Sequence, residues 1–169
     1  MKKILSFIVL FVTLLINAFA QQCLSGGCTN FRNQYPATTY TPTTSWTTRG
    51  SMSPGNYTLF NVTSGNTYEW TYCEDFQGVS TSWDAQLTLY RETNLTSPIC
   101  FSTDVCGTNN NNAPYISWTA TFTGTVRILT TQYSGGNCLT ALLPTYNTLA
   151  WRQVSSSCTP PAKPTGFTA

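Results

Sequence analysis

Apolar and polar residues alternate along most of the chain that follows residue 20. In the clearest run, Tyr68, Trp70 and Tyr72 occupy every second position. A period of two is typical of a β-strand that buries one of its faces. Similar runs, separated by turn-forming residues, lie at residues 56–62, 85–90, 116–122, 126–130 and 147–154.

No stretch after residue 20 shows the 3.6-residue period and capping residues of a helix. The short strands and their turns predict an all-β protein, an antiparallel β-sandwich of jelly-roll or immunoglobulin-like type. A first edge strand is expected over Thr41–Thr48, because Pro42 excludes a central strand there. Residues 116–122 and 126–130, joined by Thr123-Gly124, are expected to form a hairpin.

The tryptophans divide between strands and loops. Trp70, Trp118 and Trp151 lie on the apolar sides of predicted strands and are expected in the core. Trp83 lies in a predicted loop before a strand, and Tyr133 precedes a Gly-Gly turn. Exposed aromatic rings of this kind are candidate platforms for a sugar ligand. For Trp83 the alternative is that its ring also lies in the core.

The first twenty residues have a different composition. Lys2 and Lys3 precede an apolar run from Ile4 to Ile16, and Ala18-Phe19-Ala20 ends it with small residues. This pattern predicts a secretory signal peptide at residues 1–20. The apolar run is too short for a stable membrane span. We therefore expect a secreted protein, extracellular or at the cell surface, with no membrane span after cleavage.

Charged residues are scarce, at 8% of the chain, against about a quarter in typical globular domains. Six basic and six acidic residues follow residue 20, so the expected mature chain has no net charge. It has no basic patch, which argues against nucleic acid as a partner. Threonine, serine and asparagine provide a neutral, hydrogen-bonding surface instead.

All seven cysteines follow the predicted signal peptide: Cys23, Cys28, Cys73, Cys100, Cys106, Cys138 and Cys158. In an exported chain they are expected to form disulfides. The absence of histidine and of any Cys-x-x-Cys pair argues against a zinc site. The pairing is open: Cys23–Cys28 and Cys100–Cys106 are local options. The odd count is compatible with a covalent link to further domains or with self-assembly.

Four segments follow from these patterns. Residues 1–20 are the signal peptide, 21–54 a polar segment with the first strand, 55–157 the β-sandwich core and 158–169 a Pro-rich linker. Closely spaced prolines are typical of extended linkers. We expect the chain to be the N-terminal region of a longer protein, with a frayed terminus as the alternative.

Residues for catalysis are few. The absence of histidine removes Ser-His-Asp and Cys-His sites. The only lysine after the signal peptide is Lys163, in the linker, and Gly-x-Ser-x-Gly does not occur. A pair of glycosidase carboxylates remains an option, but Glu74 and Asp75 are adjacent and nothing marks a partner across a cleft. We therefore expect no enzyme.

Two carboxylates are candidates for a calcium site, the one cofactor that the sequence suggests. Asp84 opens a predicted strand, and Asp104 lies in a loop bounded by cysteines and followed by asparagines. Calcium prefers oxygen ligands from carboxylates and loop carbonyls. The alternative is that both residues cap turns through their own backbones.

Several motifs follow one another in a recognisable order. They are Asn56-Tyr57-Thr58, Gly65 to Trp70, Trp83 to Tyr90, Cys100 to Cys106, Ile116-Ser117-Trp118 and Gly124 to Ile128. This order resembles the β-sandwich modules, related to pre-peptidase C-terminal domains, of large secreted bacterial proteins. The tail from Cys158 is similar to the lead-in of a fibronectin type III repeat. The resemblance implies an accessory module that does not catalyse.

Together these observations predict a non-catalytic extracellular or cell-surface module. Its expected role is adhesion, ligand binding or structural spacing in a larger secreted bacterial protein, with a glycan or a protein as ligand. One alternative is a carbohydrate-binding module. The other is an extracellular fibre subunit, in keeping with the odd cysteine and the Thr-rich strands.

Overall fold

The computed structural model describes residues 23–74, 78–106 and 112–154. These residues form β-strands, and none of them lies in a helix that could span a membrane. The predicted signal peptide, Cys158 and the Pro-rich linker at 158–169 lie outside the described residues.

The strands are β1 (Gln34–Tyr40), β2 (Thr47–Met52), β3 (Tyr57–Val62), β4 (Thr67–Thr71), β5 (Ala85–Arg91), β6 (Cys100–Ser102), β7 (Tyr115–Thr119), β8 (Gly124–Ser134), β9 (Asn137–Leu139) and β10 (Asn147–Gln153). The larger sheet has the order β1-β3-β8-β5-β6, with β9 beside β8, and the smaller sheet has the order β2-β10-β4-β7. Only β1 and β3 pair in parallel among these strands. The predicted all-β sandwich is confirmed.

Aromatic rings fill the space between the two sheets. Phe60 of the larger sheet lies 5.6 Å from Trp70 and 5.2 Å from Trp151 of the smaller sheet, measured between ring centroids. Both contacts are edge-to-face, a favoured arrangement for aromatic pairs. Trp70, Trp118 and Trp151 are all buried, which confirms their predicted place in the core.

A buried hydrogen bond between two side chains joins the two sides of this core. The hydroxyl oxygens of Tyr72 and Thr130 lie 2.8 Å apart and both residues are buried. Burial raises the pKa of Tyr72 above its ordinary value, so the phenol stays protonated. The bond satisfies two polar groups that would otherwise be costly to bury.

Two predictions about the strands are wrong. The expected strand at Thr41–Thr48 is replaced by the end of β1 at Tyr40 and the start of β2 at Thr47, because the chain passes from one sheet to the other between them. The expected hairpin of residues 116–122 and 126–130 does not form. There, β7 pairs with β4 in the smaller sheet, whereas β8 pairs with β3 and β5 in the larger.

Residues 23–33 cross the outer face of the larger sheet, and we call them the strap. At the β6 edge, Leu24 and Phe101 exchange backbone hydrogen bonds of 2.9 and 3.1 Å. Over β5, the backbone N–H of Cys28 donates to Oγ1 of Thr88 at 3.0 Å. At the opposite edge the strap leads into β1. The outer face of this sheet is therefore covered from edge to edge.

Arg127, in the sheet beneath the strap, holds the strap in place. The guanidinium carbon of Arg127, on β8, lies 4.8 Å from the ring centroid of Phe31 in the strap and 3.8 Å from that of Tyr57. The same guanidinium donates two hydrogen bonds to Glu92, at 2.8 and 2.6 Å. A bidentate pair of this kind offsets the cost of burying the Arg127 guanidinium, whose side chain is 10% exposed.

Within the described residues, six cysteines form three disulfides: Cys23–Cys100, Cys28–Cys138 and Cys73–Cys106. The first two fasten the strap to β6 and β9, and the third joins the loops that follow β4 and β6. The local pairs considered from the sequence do not form, because the strap carries its two cysteines to different strands. Cys28–Cys138 spans 110 residues, and a loop of that size corresponds to roughly 4 to 5 kcal/mol of unfolded-state entropy in the chain-entropy account.

Replacement of Gly27 by alanine tests how closely the strap packs. A Cβ atom at Gly27 would lie 2.4 Å from Cγ2 of Thr88. Overpacking costs about 1–3 kcal/mol, and a side chain at positive φ adds about 1–2 kcal/mol. We expect Gly27→Ala to lower the free energy of unfolding by about the sum of these, as measured by urea unfolding.

Gly26→Ala is the matched control, because Gly26 also has a positive φ but no atom lies within 4 Å of its Cβ position. It should show only the backbone cost. Thr88→Ser removes Cγ2 and should restore part of the stability lost in Gly27→Ala. Equal losses in the two glycine variants would contradict the tight packing of the strap.

Candidate functional site

The outer face of the smaller sheet is covered at one end by residues 78–82. The backbone N–H of Thr148, on β10, donates to the carbonyl of Ser80 at 2.9 Å, and their side-chain oxygens lie 3.0 Å apart. Gly78 lies beside Thr48 of β2. Beyond this loop, the face carries polar side chains that range from the exposed Thr119 to the buried Glu69. This part of the smaller sheet is the one we consider as a binding surface.

One row of side chains crosses this face at right angles to the strands. Arg152 of β10 pairs with Glu69 of β4, and Glu69 pairs with Ser117 of β7. The register between β10 and β2 extends the row to Trp46, just before β2. The strand neighbours of Arg152, Glu69 and Ser117 include core residues, so these three side chains project outward. Trp46 lies on the same face, because its ring contacts Arg152. We call Trp46, Arg152, Glu69 and Ser117 the central row.

The members of the central row hold one another in place. Nε of Arg152 donates to Oε2 of Glu69 at 2.6 Å. The guanidinium carbon of Arg152 lies 4.6 Å from the ring centroid of Trp46, within the range of a cation–π contact. The side chain of Glu69 is 10% exposed and that of Arg152 is 34% exposed. The guanidinium therefore lies nearer to solvent than the carboxylate that orients it.

Tyr115 lies two residues before Ser117 on β7 and adds a hydrogen bond to the central row. Burial raises the pKa of Tyr115 above its ordinary value, and so do its hydrogen bond to Glu69 and the negative charge of that carboxylate. The phenol is therefore protonated at neutral pH and donates to Glu69. This hydrogen bond helps to hold the Glu69 carboxylate in place.

Hydroxyl groups border the central row. Oγ1 of Thr67, on β4, lies 2.8 Å from Oγ1 of Thr119, on β7. Both residues lie on the outer face, two positions along their strands from Glu69 and Ser117. The surface therefore combines an aromatic ring, one paired positive and negative charge, and a border of hydroxyls.

The interpretation of Trp83 as a surface platform is wrong. Its side chain is 4% exposed and belongs to the core between the sheets. Successive side chains of a strand point to opposite faces of the sheet. Trp83 lies two residues before Ala85, so its side chain points to the same inward face as those of Ala85 and Leu87. Tyr133, near the end of β8, is 40% exposed. Its role in ligand binding remains a prediction.

The two candidate calcium ligands lie near each other. β5 and β6 are neighbours, so Asp84 before β5 and Asp104 after β6 lie at the same end of the larger sheet. Burial raises the pKa of Asp84, and the negative charge of Asp104 raises it further. Oδ1 of Asp84 is buried and has no hydrogen-bond partner among the residues that the structure describes. In ranges 23–74, 78–106 and 112–154, no group of three or more metal-binding side chains is assembled.

The central row was not predicted from the sequence. The sequence does contain one indication of this site. Only 8% of the residues are charged, and two of them, Glu69 and Arg152, lie inside strands. That indication does not reveal that the two strands are neighbours, nor that Trp46 lies in the same row. Strand order depends on contacts between distant parts of the chain.

Comparison with known proteins adds a family. Residues 47–155 match a family described as a domain of unknown function, DUF8695. Among solved structures, the pre-peptidase C-terminal domain of a collagenase from Bacillus anthracis is similar at 11% identity and a TM-score of 0.42, over 73% of this chain and 95% of that chain. No curated protein matches the sequence.

Replacement of Asp84 by asparagine tests the environment of its carboxylate. Because the folded protein raises the pKa of Asp84, ionisation of this group disfavours folding. The penalty is absent below the unfolded pKa of about 3.9 and grows as the pH rises through it toward the native value. In calcium-free buffer, Asp84→Asn should melt above the wild type at pH 7 and close to it at pH 3.

Asp104→Asn is the control, because it removes only the second cause of the shift and should raise the melting temperature less. A variant Asp84→Asn that melts below the wild type at pH 7 would contradict this description of the carboxylate.

Proposed function

This chain belongs to the DUF8695 family of domains of unknown function, and we propose that it is a non-catalytic extracellular module that binds carbohydrate on its smaller sheet. The observation that carries the proposal is the central row. It places the half-buried ring of Trp46 beside the Arg152–Glu69 ion pair on a face that the strap does not cover.

The chemistry of the central row matches that of a sugar. A sugar ring has apolar C–H groups on its faces and hydroxyls around its edge. An aromatic ring such as that of Trp46 packs against the former. Charged hydrogen-bonding groups such as those of Arg152 and Glu69 bind the latter more strongly than neutral groups do. The threonines at the border extend the hydrogen-bonding surface.

An extracellular location is part of the proposal. Three disulfides support it, because such bonds persist in oxidising compartments and are rare in the cytosol. The predicted signal peptide at residues 1–20 supports the same location. The neutral, threonine-rich composition is compatible with a module that faces other extracellular material.

We also propose a structural calcium ion at the Asp84 end of the larger sheet. The specific observation is the buried Oδ1 of Asp84, which has no hydrogen-bond partner in the described part of the chain, together with the nearby charge of Asp104. A divalent cation would relieve the repulsion between the two carboxylates and supply a partner for that oxygen. Backbone carbonyls and water would complete its ligands.

Replacement of Trp46 by alanine tests the carbohydrate site. We expect the wild-type fragment 21–169 to bind at least one glycan on an array, and Trp46→Ala to weaken that binding tenfold or more, equivalent to about 1.4 kcal/mol. Dissociation constants measured by calorimetry give the ratio. Circular dichroism and melting temperature show whether the variant is folded.

Tyr133→Ala tests the rival platform predicted from the sequence, an exposed aromatic ring at the end of the other sheet, against the proposed site on the smaller sheet. It should leave the glycan affinity unchanged. Loss of binding in Tyr133→Ala but not in Trp46→Ala would contradict the proposed site, and a protein that binds no glycan would contradict the proposed function.

Addition of calcium tests the second proposal. Millimolar CaCl2 should raise the melting temperature of the wild type, because a ligand that binds only the folded state stabilises it. MgCl2 should do so less, since magnesium demands a more regular set of ligands. Asp84→Asn should abolish the calcium effect. An equal effect of calcium on this variant would place the ion elsewhere.

A further inference from the structure

We propose that the central row is selective for neutral glycans and recognises a vicinal diol that bridges Arg152 and Glu69. This inference rests on the proposed carbohydrate function and specifies its ligand. It is based on the contact between the guanidinium of Arg152 and the carboxylate of Glu69, which lie 2.6 Å apart and together carry no net charge.

The ion pair disfavours an anionic ligand. A uronate or sulfate that approached Arg152 would also approach the carboxylate of Glu69, and the repulsion would offset the attraction. The central row contains no second cation. Within the described ranges, the other arginines contact different parts of the fold. Arg32 contacts Thr140, Arg49 contacts Tyr35, Arg91 contacts Phe122 and Arg127 contacts Glu92.

The same pair is well suited to two adjacent hydroxyls. A guanidinium has five N–H donors, and an ionised carboxylate accepts up to about four hydrogen bonds. Nε of Arg152 uses one donor on Glu69. One hydroxyl of a diol accepts an N–H from the guanidinium, while its neighbour donates to the carboxylate. Both groups are already oriented by each other, so little side-chain entropy is lost on binding.

The length of the central row favours an oligosaccharide over a single sugar. The row extends from Trp46, beside β2, through β10 and β4 to Ser117 on β7. Three strand spacings correspond to about 14 Å. A glycan that lies along the row therefore crosses the strands, with one sugar against the ring of Trp46 and the next at the ion pair.

The experiment compares neutral and anionic glycans at two salt concentrations. The fragment 21–169 is titrated with mannan, xyloglucan, polygalacturonate and heparin in 0.05 and 0.5 M NaCl. We expect binding to a neutral glycan, with a dissociation constant that changes less than twofold between the two salts, because no net charge is neutralised. Periodate cleavage of the vicinal diols in that glycan should reduce its affinity tenfold or more.

Variants test the contribution of the ion pair. Arg152→Lys keeps the charge but loses the planar fork of donors, and it should weaken binding to the neutral glycan tenfold or more while circular dichroism shows a folded protein. Glu69→Gln should weaken binding to the neutral glycan and strengthen binding to polygalacturonate. The periodate comparison uses the wild type, so it remains decisive where a variant does not fold.

The two proposals fail in different ways. Binding of polygalacturonate or heparin that falls steeply with salt would overturn the neutral-diol inference and leave the carbohydrate function in place. Undiminished binding to the periodate-treated glycan would also overturn the inference alone. A protein that binds none of these glycans, nor any other on an array, would overturn both.

Discussion

The strap on the larger sheet determines which surface of this protein remains open to a ligand. Gly27 and Cys28 pack directly on Thr88, and Arg127 is held between a ring of the strap and a ring of the sheet. Two disulfides fasten the strap to strands that are far away in sequence. Polar residues that would normally face water, such as Thr88, are buried as a result. The larger sheet therefore has the core on one face and the strap on the other.

The smaller sheet differs because its outer face is only partly covered. The loop at residues 78–82 covers one end, and the central row crosses the part beyond it. Rings of the core support this row from below, since Trp70 and Trp151 belong to the same strands and are buried. A site on such strands is rigid before its ligand arrives. That rigidity limits the entropy cost of binding and makes selectivity depend on the fixed ion pair between Arg152 and Glu69.

The sequence predicts the fold class well and the candidate site only in part, for one physical reason. Local alternation predicts strands that bury one face, and β3, β4, β5, β7, β8 and β10 all follow predicted runs. By contrast, β6 and β9 are three residues each and β1 is mostly polar, so no period marks them. The pairing of β7 with β4 rather than β8 depends on packing between distant segments. The same is true of the disulfides and of the central row.

The two tryptophans outside the predicted core strands, Trp46 and Trp83, show most clearly what the sequence pattern does not predict. The sequence leaves Trp83 open as a surface ring or a core residue because it lies in a predicted loop, and the structure buries it on the inward side of β5. Trp46 gave no signal in the sequence, and the register of β2 with β10 places it beside Arg152. Asp84 and Asp104 were expected to act together, and the structure places them close enough to interact electrostatically. Their role in binding calcium remains a proposal.

The most direct test of the binding surface is nuclear magnetic resonance mapping with a bound neutral oligosaccharide. In ¹H–¹⁵N spectra, the account predicts shifts of the Trp46 indole N–H, the Arg152 Nε–H and the backbone amides of β4 and β10 around the central row. Amides of the strap and of residues 82–84 should not move. Shifts confined to the strap, or to the end of the larger sheet at Tyr133, would contradict the claim that the smaller sheet is the binding face.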